Sequence, residues 1–173
     1  MNLYFRFFIV LLKAWFTKKQ AILTESTLSL RVLPLDCDIN FHLNNARYLS
    51  FMDLGRIQLM GNAKLLKHIY QQRWAPVIAA AEISFIKAIA PWQRFKLVSR
   101  VIGWDEGYVY MEQRFETANG LAAIALVKGT FVVNGKKCDM QELMNKVEPG
   151  IVSPELPAAI EHWRYLTEAK KSC

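Results

Sequence analysis

The sequence has few cysteines and none of the spacings that accompany disulfide frameworks or metal sites. Its three cysteines, Cys37, Cys138 and Cys173, are odd in number and irregularly placed, and no C-x-x-C pair occurs. A small secreted domain held together by disulfides shows an even, regular set. We therefore expect a reduced, cytoplasmic protein with no metal ion and no cofactor.

Low-complexity segments and internal repeats are also absent, which excludes repeat arrays and biased, disordered chains. The 173 residues are 53% hydrophobic and include ten Phe and five Trp, enough for one domain with a substantial core and extensions. The net charge of +7 favours an anionic partner such as a membrane surface or a phosphorylated ligand. The basic residues are dispersed and no nucleic-acid-binding motif accompanies them, so nucleic acid is not expected.

The N-terminal segment lacks acidic residues before Glu25 and has no run of the ~20 apolar residues that a bilayer-spanning helix needs. We expect an apolar and basic helix over residues 1–20, which as far as Thr17 is apolar except for one narrow stripe of Asn2, Arg6, Lys13 and Thr17. The apolar face must be buried, either as a peripheral contact with a membrane or against the domain or a second subunit. Both alternatives stay open, and no signal-peptide cleavage site follows the segment.

The rest of the chain predicts one strand, one long helix and then four strands. The first strand covers residues 22–32, and the helix runs from Asn45 to about His68, with Gly61-Asn62 as the place where it can end or bend. Its predicted inner side contains Tyr48, Met52, Gly55, Leu59, Ala63 and Leu66, with Gly55 permitting close approach of another backbone. The four later strands alternate with a period of two at residues 77–89, 94–104, 108–117 and 121–133, with a tight turn expected at Asn119-Gly120.

Two short helices are predicted after these strands, one starting at Asp139 and one over about residues 154–170. The compact arrangement is an α+β domain with one helix buried against one curved antiparallel sheet. We expect this domain over residues 21–137, followed by a helical extension over residues 138–173. The open edge of such a sheet favours pairing with a second subunit.

Residues 36–49 combine two carboxylates, an imidazole and an Asn pair directly before the long helix. Short polar residues at a helix start cap free backbone N–H groups, and that end of a helix stabilises negative charge. A carboxylate such as Asp38 at this place stays ionised and can attack a carbonyl or activate water. The pattern therefore indicates a hydrolytic site.

The motif resembles the signature of hotdog-fold acyl-CoA thioesterases, closest to the group of 4-hydroxybenzoyl-CoA and long-chain acyl-CoA thioesterases. The resemblance covers about residues 22–134 and rests on three segments: Asp38-x-x-x-His42-x-Asn44-Asn45-Ala46-Arg47-Tyr48-Leu49, Asp53-Leu54-Gly55-Arg56 and Ala81-Glu82-Ile83-Ser84-Phe85-Ile86-Lys87. It implies a five-stranded sheet wrapped around the helix, a homodimer or homotetramer with a continuous sheet, and CoA along the subunit interface. It also implies hydrolysis of an acyl-CoA to a free acid and a thiol.

In this family pattern Asp38 is the general base or nucleophile, and a backbone N–H near Asn45 polarises the thioester carbonyl. His42 is a further catalytic candidate, as a general acid or a loop-holding residue, and Asn44, Arg47 and Tyr48 are the predicted substrate-binding residues. Asp36 is predicted to be structural, and Cys37 is not favoured as a nucleophile. Two departures are Phe41, where many relatives have Gly, and the acid-free turn at residues 90–94, so the acyl-chain preference of relatives does not transfer.

Two other functions compete with hydrolysis. A hydratase acting on enoyl thioesters resembles an Asp-x4-His arrangement, whereas only three residues separate Asp38 from His42. A non-catalytic protein that binds acyl thioesters or associates with membranes remains open, because the apolar N-terminal helix lies outside the core pattern.

Overall fold

The computed structural model describes residues 2–171. These residues form five α-helices: α1 (Asn2–Phe16), α2 (Asn45–Asn62), α3 (Leu65–Gln72), α4 (Met140–Val147) and α5 (Ala158–Ala169). Six strands accompany them: β1 (Ser26–Arg31), β2 (Ala75–Phe85), β3 (Arg94–Trp104), β4 (Val109–Thr117), β5 (Gly120–Val133) and the two-residue β6 (Lys136–Lys137). The predicted α+β class is confirmed.

The strands form one antiparallel sheet in the order β1-β3-β4-β5-β2, and β6 pairs with the end of β5. The turn between β4 and β5 falls one residue earlier than predicted, because Thr117 pairs with Gly120 and Ala118-Asn119 form the loop. Gly120 has a φ of +97°, a conformation that glycine adopts without a steric penalty.

The central helix α2 packs on one face of this curled sheet. Its buried side contains the predicted residues Tyr48, Met52, Gly55 and Leu59, and Ala63, directly after the helix, is buried as well. The neighbours of Gly55 are side chains and not the backbone that we expected, since a Cβ there would lie 2.7 Å from both Gln113 Nε2 and Ser99 Oγ. Gly55 therefore makes room for buried polar side chains that reach from the sheet to the helix.

The prediction of one continuous helix from Asn45 to about His68 is wrong, whereas the alternative of an end at Gly61-Asn62 is confirmed. Helix α2 ends at Asn62, Lys64 adopts a left-handed conformation with a φ of +59°, and α3 begins at Leu65. Two strand ranges also differ from prediction, since β1 is shorter than residues 22–32 and β2 ends at Phe85 and not at residue 89. The cap of α4 is as expected, because the Asp139 side chain accepts a hydrogen bond from the Glu142 N–H.

Helix α1 docks on α2 through a narrow face. Val10 and Ala14 are buried there, and a Cβ on Gly61 would overlap the Cβ of Ala14, so the two backbones approach closely. Arg6, a member of the polar stripe, points into the domain and contacts Asp36; the Asn2 side chain lies outside the described residues. None of the described helices is long and apolar enough to cross a bilayer.

Candidate active site

The segment between β1 and α2 is a compact loop closed by backbone hydrogen bonds. A 3-10 turn over Pro34–Asp36 leads into it, and Cys37 and Leu43 form an isolated antiparallel bridge. The Asp38 N–H donates to the His42 carbonyl at 3.0 Å, and the Phe41 N–H donates to the Asp38 carbonyl at 3.1 Å. Asp38 and His42 therefore face each other across the base of a tight loop.

Phe41 adopts a left-handed conformation with a φ of +56°. This conformation costs a residue with a Cβ roughly 1–2 kcal/mol and costs glycine almost nothing. Phe41 thus keeps the kind of backbone that the family pattern assigns to glycine, while adding an exposed aromatic ring at the loop tip. Ile39, beside it, is 93% exposed, so the tip of the loop is apolar.

Of the two carboxylates Asp36 and Asp38, Asp36 is the buried one, and its contacts hold the loop in place. It is 3% exposed, and its Oδ2 accepts from Arg6 Nη2 and from the Leu33 N–H, each at 2.9 Å. Arg47 Nε lies 3.9 Å from the other carboxylate oxygen. These contacts agree with the interpretation of Asp36 as a structural residue.

Asp38 is only partly buried and has capacity left for a substrate or a water molecule. Its Oδ1 accepts from the Asn40 N–H at 2.9 Å, while Oδ2 has no hydrogen-bond donor within residues 2–171. One carboxylate oxygen is thus oriented by the loop and the other is open. This is the arrangement that a general base or a nucleophile needs.

The start of α2 supplies an unpaired backbone donor near this carboxylate in sequence. Asn44 caps the helix, since its Oδ1 accepts from the Ala46 N–H at 2.9 Å. The Asn45 N–H has no acceptor anywhere in the described part of the chain, as expected for the first residue of a helix. A developing oxyanion placed there would gain both a hydrogen bond and the favourable end of the helix dipole.

The other predicted site residues have different surroundings. The His42 imidazole is exposed and contributes its backbone carbonyl to the loop, whereas Arg47 donates to the Leu35 carbonyl at 3.3 Å. Tyr48 is buried, with its ring 5.0 Å from Phe85 and 4.7 Å from Phe115 between centroids, and burial raises the pKa of its hydroxyl. Asn44, Arg47 and Tyr48 therefore have structural roles, and their contacts with substrate stay predictions.

Cys37 lies next to Asp38 in sequence but is poorly suited to nucleophilic attack. Burial raises the pKa of its thiol, and the neighbouring charges of Asp36 and Asp38 raise it further. A thiolate is the reactive form of cysteine, so this environment works against it.

Sequence reasoning missed the two residues that tie the loop to distant elements. Arg6 reaches Asp36 from thirty residues away, and the Ile89 carbonyl accepts from the Leu43 N–H at 2.9 Å. Neither contact can be predicted from a short-range spacing in the sequence. For Arg6 the sequence does contain one indication, because an arginine on a buried apolar helix without acidic residues needs a partner from elsewhere in the chain.

A family model for the thioesterase-like superfamily matches residues 32–163. The chain belongs to the thioesterase-like superfamily. The match begins just before the Asp36–Asp38 loop and continues through all later strands, so it includes every predicted site residue.

Two relatives from other organisms are similar to this chain in sequence. The chain is 29% identical to Protein THEM6 of Xenopus laevis over 82% of this chain and 68% of that protein. It is 32% identical to the probable thioesterase YBR096W of Saccharomyces cerevisiae over 60% of this chain and 46% of that protein.

Among solved structures, the probable thioesterase YbaW from Escherichia coli is similar with a TM-score of 0.66 and 18% identity, covering 73% of this chain and 98% of that one. A 1,4-dihydroxy-2-naphthoyl-CoA thioesterase from Synechocystis is similar with a TM-score of 0.63 and 13% identity, and the match covers 74% of this chain and 98% of that one. These likenesses show the hotdog fold that the motif implied.

Proposed function

We propose that this protein hydrolyses an acyl-CoA, or a similar acyl thioester, to the free acid and the thiol. The observation that carries the proposal is the open carboxylate oxygen of Asp38 on a loop that leads directly into the unpaired N–H of Asn45. Membership of the thioesterase-like superfamily supports the same chemistry. The net charge of +7 suits the phosphates of CoA.

In this mechanism the thioester carbonyl oxygen accepts a hydrogen bond from the Asn45 N–H, which makes the carbonyl carbon more electrophilic. Asp38 then either removes a proton from water as that water attacks, or attacks directly to form an acyl-aspartyl anhydride that water cleaves. In both routes the C–S bond breaks and the thiolate leaves, taking up a proton. We assign the supply of that proton to His42, whose side chain is exposed on the same loop.

Replacing Asp38 tests the catalytic role. We expect Asp38→Asn and Asp38→Ala to lower turnover by roughly 10²-fold or more, because a positioned acid/base group contributes on that scale. The measurement is the release of free CoA from a series of acyl-CoA substrates that extends from acetyl-CoA to palmitoyl-CoA. The loop control Asn40→Ala should stay near wild type. Near-normal turnover in folded Asp38→Ala would refute the role, and binding without hydrolysis by the wild type would favour the non-catalytic alternative.

The free edge of β2 supports a proposal that two chains pair into a dimer with a continuous sheet. Strand β2 has eleven residues and pairs only with β5 among the described strands. Val77, Ile78 and Phe85 are each 43% to 49% exposed on it. A long edge with apolar side chains and one charge, Glu82, has the features of a strand that adds to another sheet.

We expect light scattering at micromolar concentration to give a mass of at least twice the 19.9 kDa of one chain. Ala81→Lys on β2 should shift this mass towards the monomer, because a charge on an edge strand opposes pairing. The control is Ser29→Lys on β1, at the opposite edge of the sheet. A monomeric wild type with intact turnover would contradict the dimer.

The outer face of α1 supports a proposal that the protein makes a peripheral contact with a membrane. Phe8, Trp15 and Phe16 are 58%, 76% and 82% exposed, on the side opposite Val10 and Ala14. Docking on α2 thus accounts for only part of the helix surface. The exposed Lys13 and Lys18 suit anionic lipid headgroups, whereas Lys19 donates to the Val147 carbonyl.

We expect the triple variant Phe8→Ser, Trp15→Ser, Phe16→Ser to bind anionic phosphatidylserine vesicles at least tenfold more weakly than wild type. Each large apolar side chain contributes roughly 1.5–3 kcal/mol when it is buried, and salt should weaken wild-type binding through Lys13 and Lys18. Co-sedimentation measures this, with the exposed Tyr165→Ser as control. Equal binding by wild type and triple variant, or no binding by either, would remove the membrane contact.

A further inference from the structure

Strand β1 forms a free edge of the sheet, since it pairs with β3 alone among the described strands. Successive residues of an antiparallel strand direct their backbone groups alternately towards the neighbouring strand and away from it. The Val32 N–H donates to the Gln93 carbonyl on the β3 side. The backbone groups of Arg31 therefore point outwards, where its carbonyl accepts from Arg6 at 3.0 Å. The same alternation turns every second residue of β1 outwards.

Thr27 and Ser29 are the outward residues in the middle of this edge. Both are exposed, and their outward N–H and carbonyl groups have no hydrogen-bond partner within residues 2–171. The edge thus presents two donors and two acceptors. A phosphate group can engage the donors but leaves the carbonyls unpaired, whereas another extended backbone satisfies both kinds at this spacing.

An open groove of about 580 Å³ separates this edge from α1. We call it the edge groove. Leu12 and Phe16 of α1 form one wall, and residues 27–29 of β1 form the other. The two α1 side chains are exposed, and Leu28 turns its side chain towards the core. The α1 side of the edge groove is therefore largely apolar, although it includes Lys13.

The edge groove continues past Ser29 into a cleft with positively charged walls. Three exposed cations line this cleft and form the basic cluster, Arg31, Arg94 and Lys96. None of them has an acidic partner in the described part of the chain. Arg31 lies directly opposite Arg94, and like charges at such positions destabilise a sheet. The acidic residue of the cleft, Glu116, is already paired with Arg114 at 3.0 Å.

The two walls differ in chemistry and lie on different faces of the sheet. Helix α1 packs on α2 and so lies on the core side of β1. The basic cluster lies on the opposite face, because the residues that alternate with it are turned to the core, namely Leu30, Phe95 and Leu97. A strand added to β1 would therefore meet apolar side chains on one face and cations on the other.

Charge decides between the occupants that an open edge can take. A second copy of this chain would bring a net charge of +7 and the same basic cluster to the contact, and like charges oppose association. An acidic strand is complementary to the basic cluster and also relieves the repulsion between Arg31 and Arg94. The edge therefore suits an acidic partner better than a second copy.

We propose that β1 is a docking edge for an extended, acidic segment of another protein, which adds to the sheet as a strand in the edge groove. The Thr27 and Ser29 backbones pair with it, its apolar side chains pack against Leu12 and Phe16, and its carboxylates lie beside the basic cluster. This interaction needs no thioester hydrolysis and leaves the β2 edge free, so it stands or falls independently of the proposed function.

The test measures the binding of fluorescein-labelled octapeptides by fluorescence anisotropy at low salt. Valine and glutamate alternate in the first peptide, valine and lysine alternate in the second, and four valines precede four glutamates in the third. We expect the first peptide to bind at least tenfold more tightly than the other two, because it alone places apolar and acidic side chains on opposite faces of a strand.

The variant Ser29→Pro tests the backbone hydrogen bonds. Proline lacks the N–H that points outwards here, and an edge strand tolerates proline at such a position. We expect the valine–glutamate peptide to bind about tenfold more weakly, because one of its carbonyl groups is left unpaired. The matched control Ser29→Ala loses the same hydroxyl but keeps the N–H, and it should bind like wild type.

The variant Arg94→Glu tests the charge complementarity. We expect it to weaken binding of the valine–glutamate peptide about tenfold and to strengthen binding of the valine–lysine peptide. A loss of structure alone does not produce this reversal. The control Lys67→Glu makes the same change in net charge at an exposed position on α3 and should leave both affinities unchanged.

Amide hydrogen exchange, followed by NMR, locates the bound peptide. The Thr27 and Ser29 amides should exchange more slowly when the valine–glutamate peptide is bound, whereas the Leu28 amide, directed towards β3, should change little. This measurement on wild type does not depend on how well any variant folds.

Three outcomes would overturn the proposal. The first is no binding of the valine–glutamate peptide by wild type. The second is binding that Arg94→Glu abolishes while Ser29→Pro and the Thr27 and Ser29 amides are unaffected, since the basic cluster would then bind anions without adding a strand. The third is a wild-type mass by light scattering that falls in Ser29→Pro, since the edge would then be occupied by a second copy.

Discussion

The buried ion pair between Arg6 and Asp36 is the contact on which the arrangement of the site depends. It joins α1 to the loop before α2, and Arg6 also donates to the Arg31 carbonyl at the end of β1. Within the described residues Arg6 Nη1 has no hydrogen-bond partner, and the guanidinium instead lies 4.9 Å from the centre of the Phe51 ring. Three elements therefore converge on one charge, and removing Asp36 leaves the Arg6 guanidinium without its carboxylate partner.

This constraint explains why α1 is part of the folded domain and still has a large apolar surface. One side of α1 is fixed by Arg6, by Val10 and by the close contact of Ala14 with Gly61. The opposite side remains exposed and aromatic through Phe8, Trp15 and Phe16. The two locations that the sequence left open for this helix, on the domain and at a membrane, are therefore compatible with one another.

Local patterns were sufficient to predict most of the fold and the position of the candidate loop. Period-two alternation placed β3, β4 and β5 to within a residue, and the Asp139 and Asn44 caps were recognisable from polar residues at helix starts. The helix end at Gly61-Asn62 was recognisable from the glycine, whereas the new start at Leu65 after a left-handed Lys64 has no distinctive sequence signal. The Arg6–Asp36 pair depends on a contact between distant segments, which periodicity does not report.

The central claim is that two carboxylates separated by one residue have different tasks, with Asp36 holding the loop and Asp38 performing the chemistry. Urea unfolding of Asp36→Ala and Asp38→Ala tests this division most directly. We predict that Asp36→Ala lowers the free energy of unfolding by about 3 kcal/mol, because Arg6 loses its buried partner. Asp38→Ala should lower it by at most about 1 kcal/mol, the scale of one exposed hydrogen bond. Equal losses, or a larger loss for Asp38→Ala, would contradict the account.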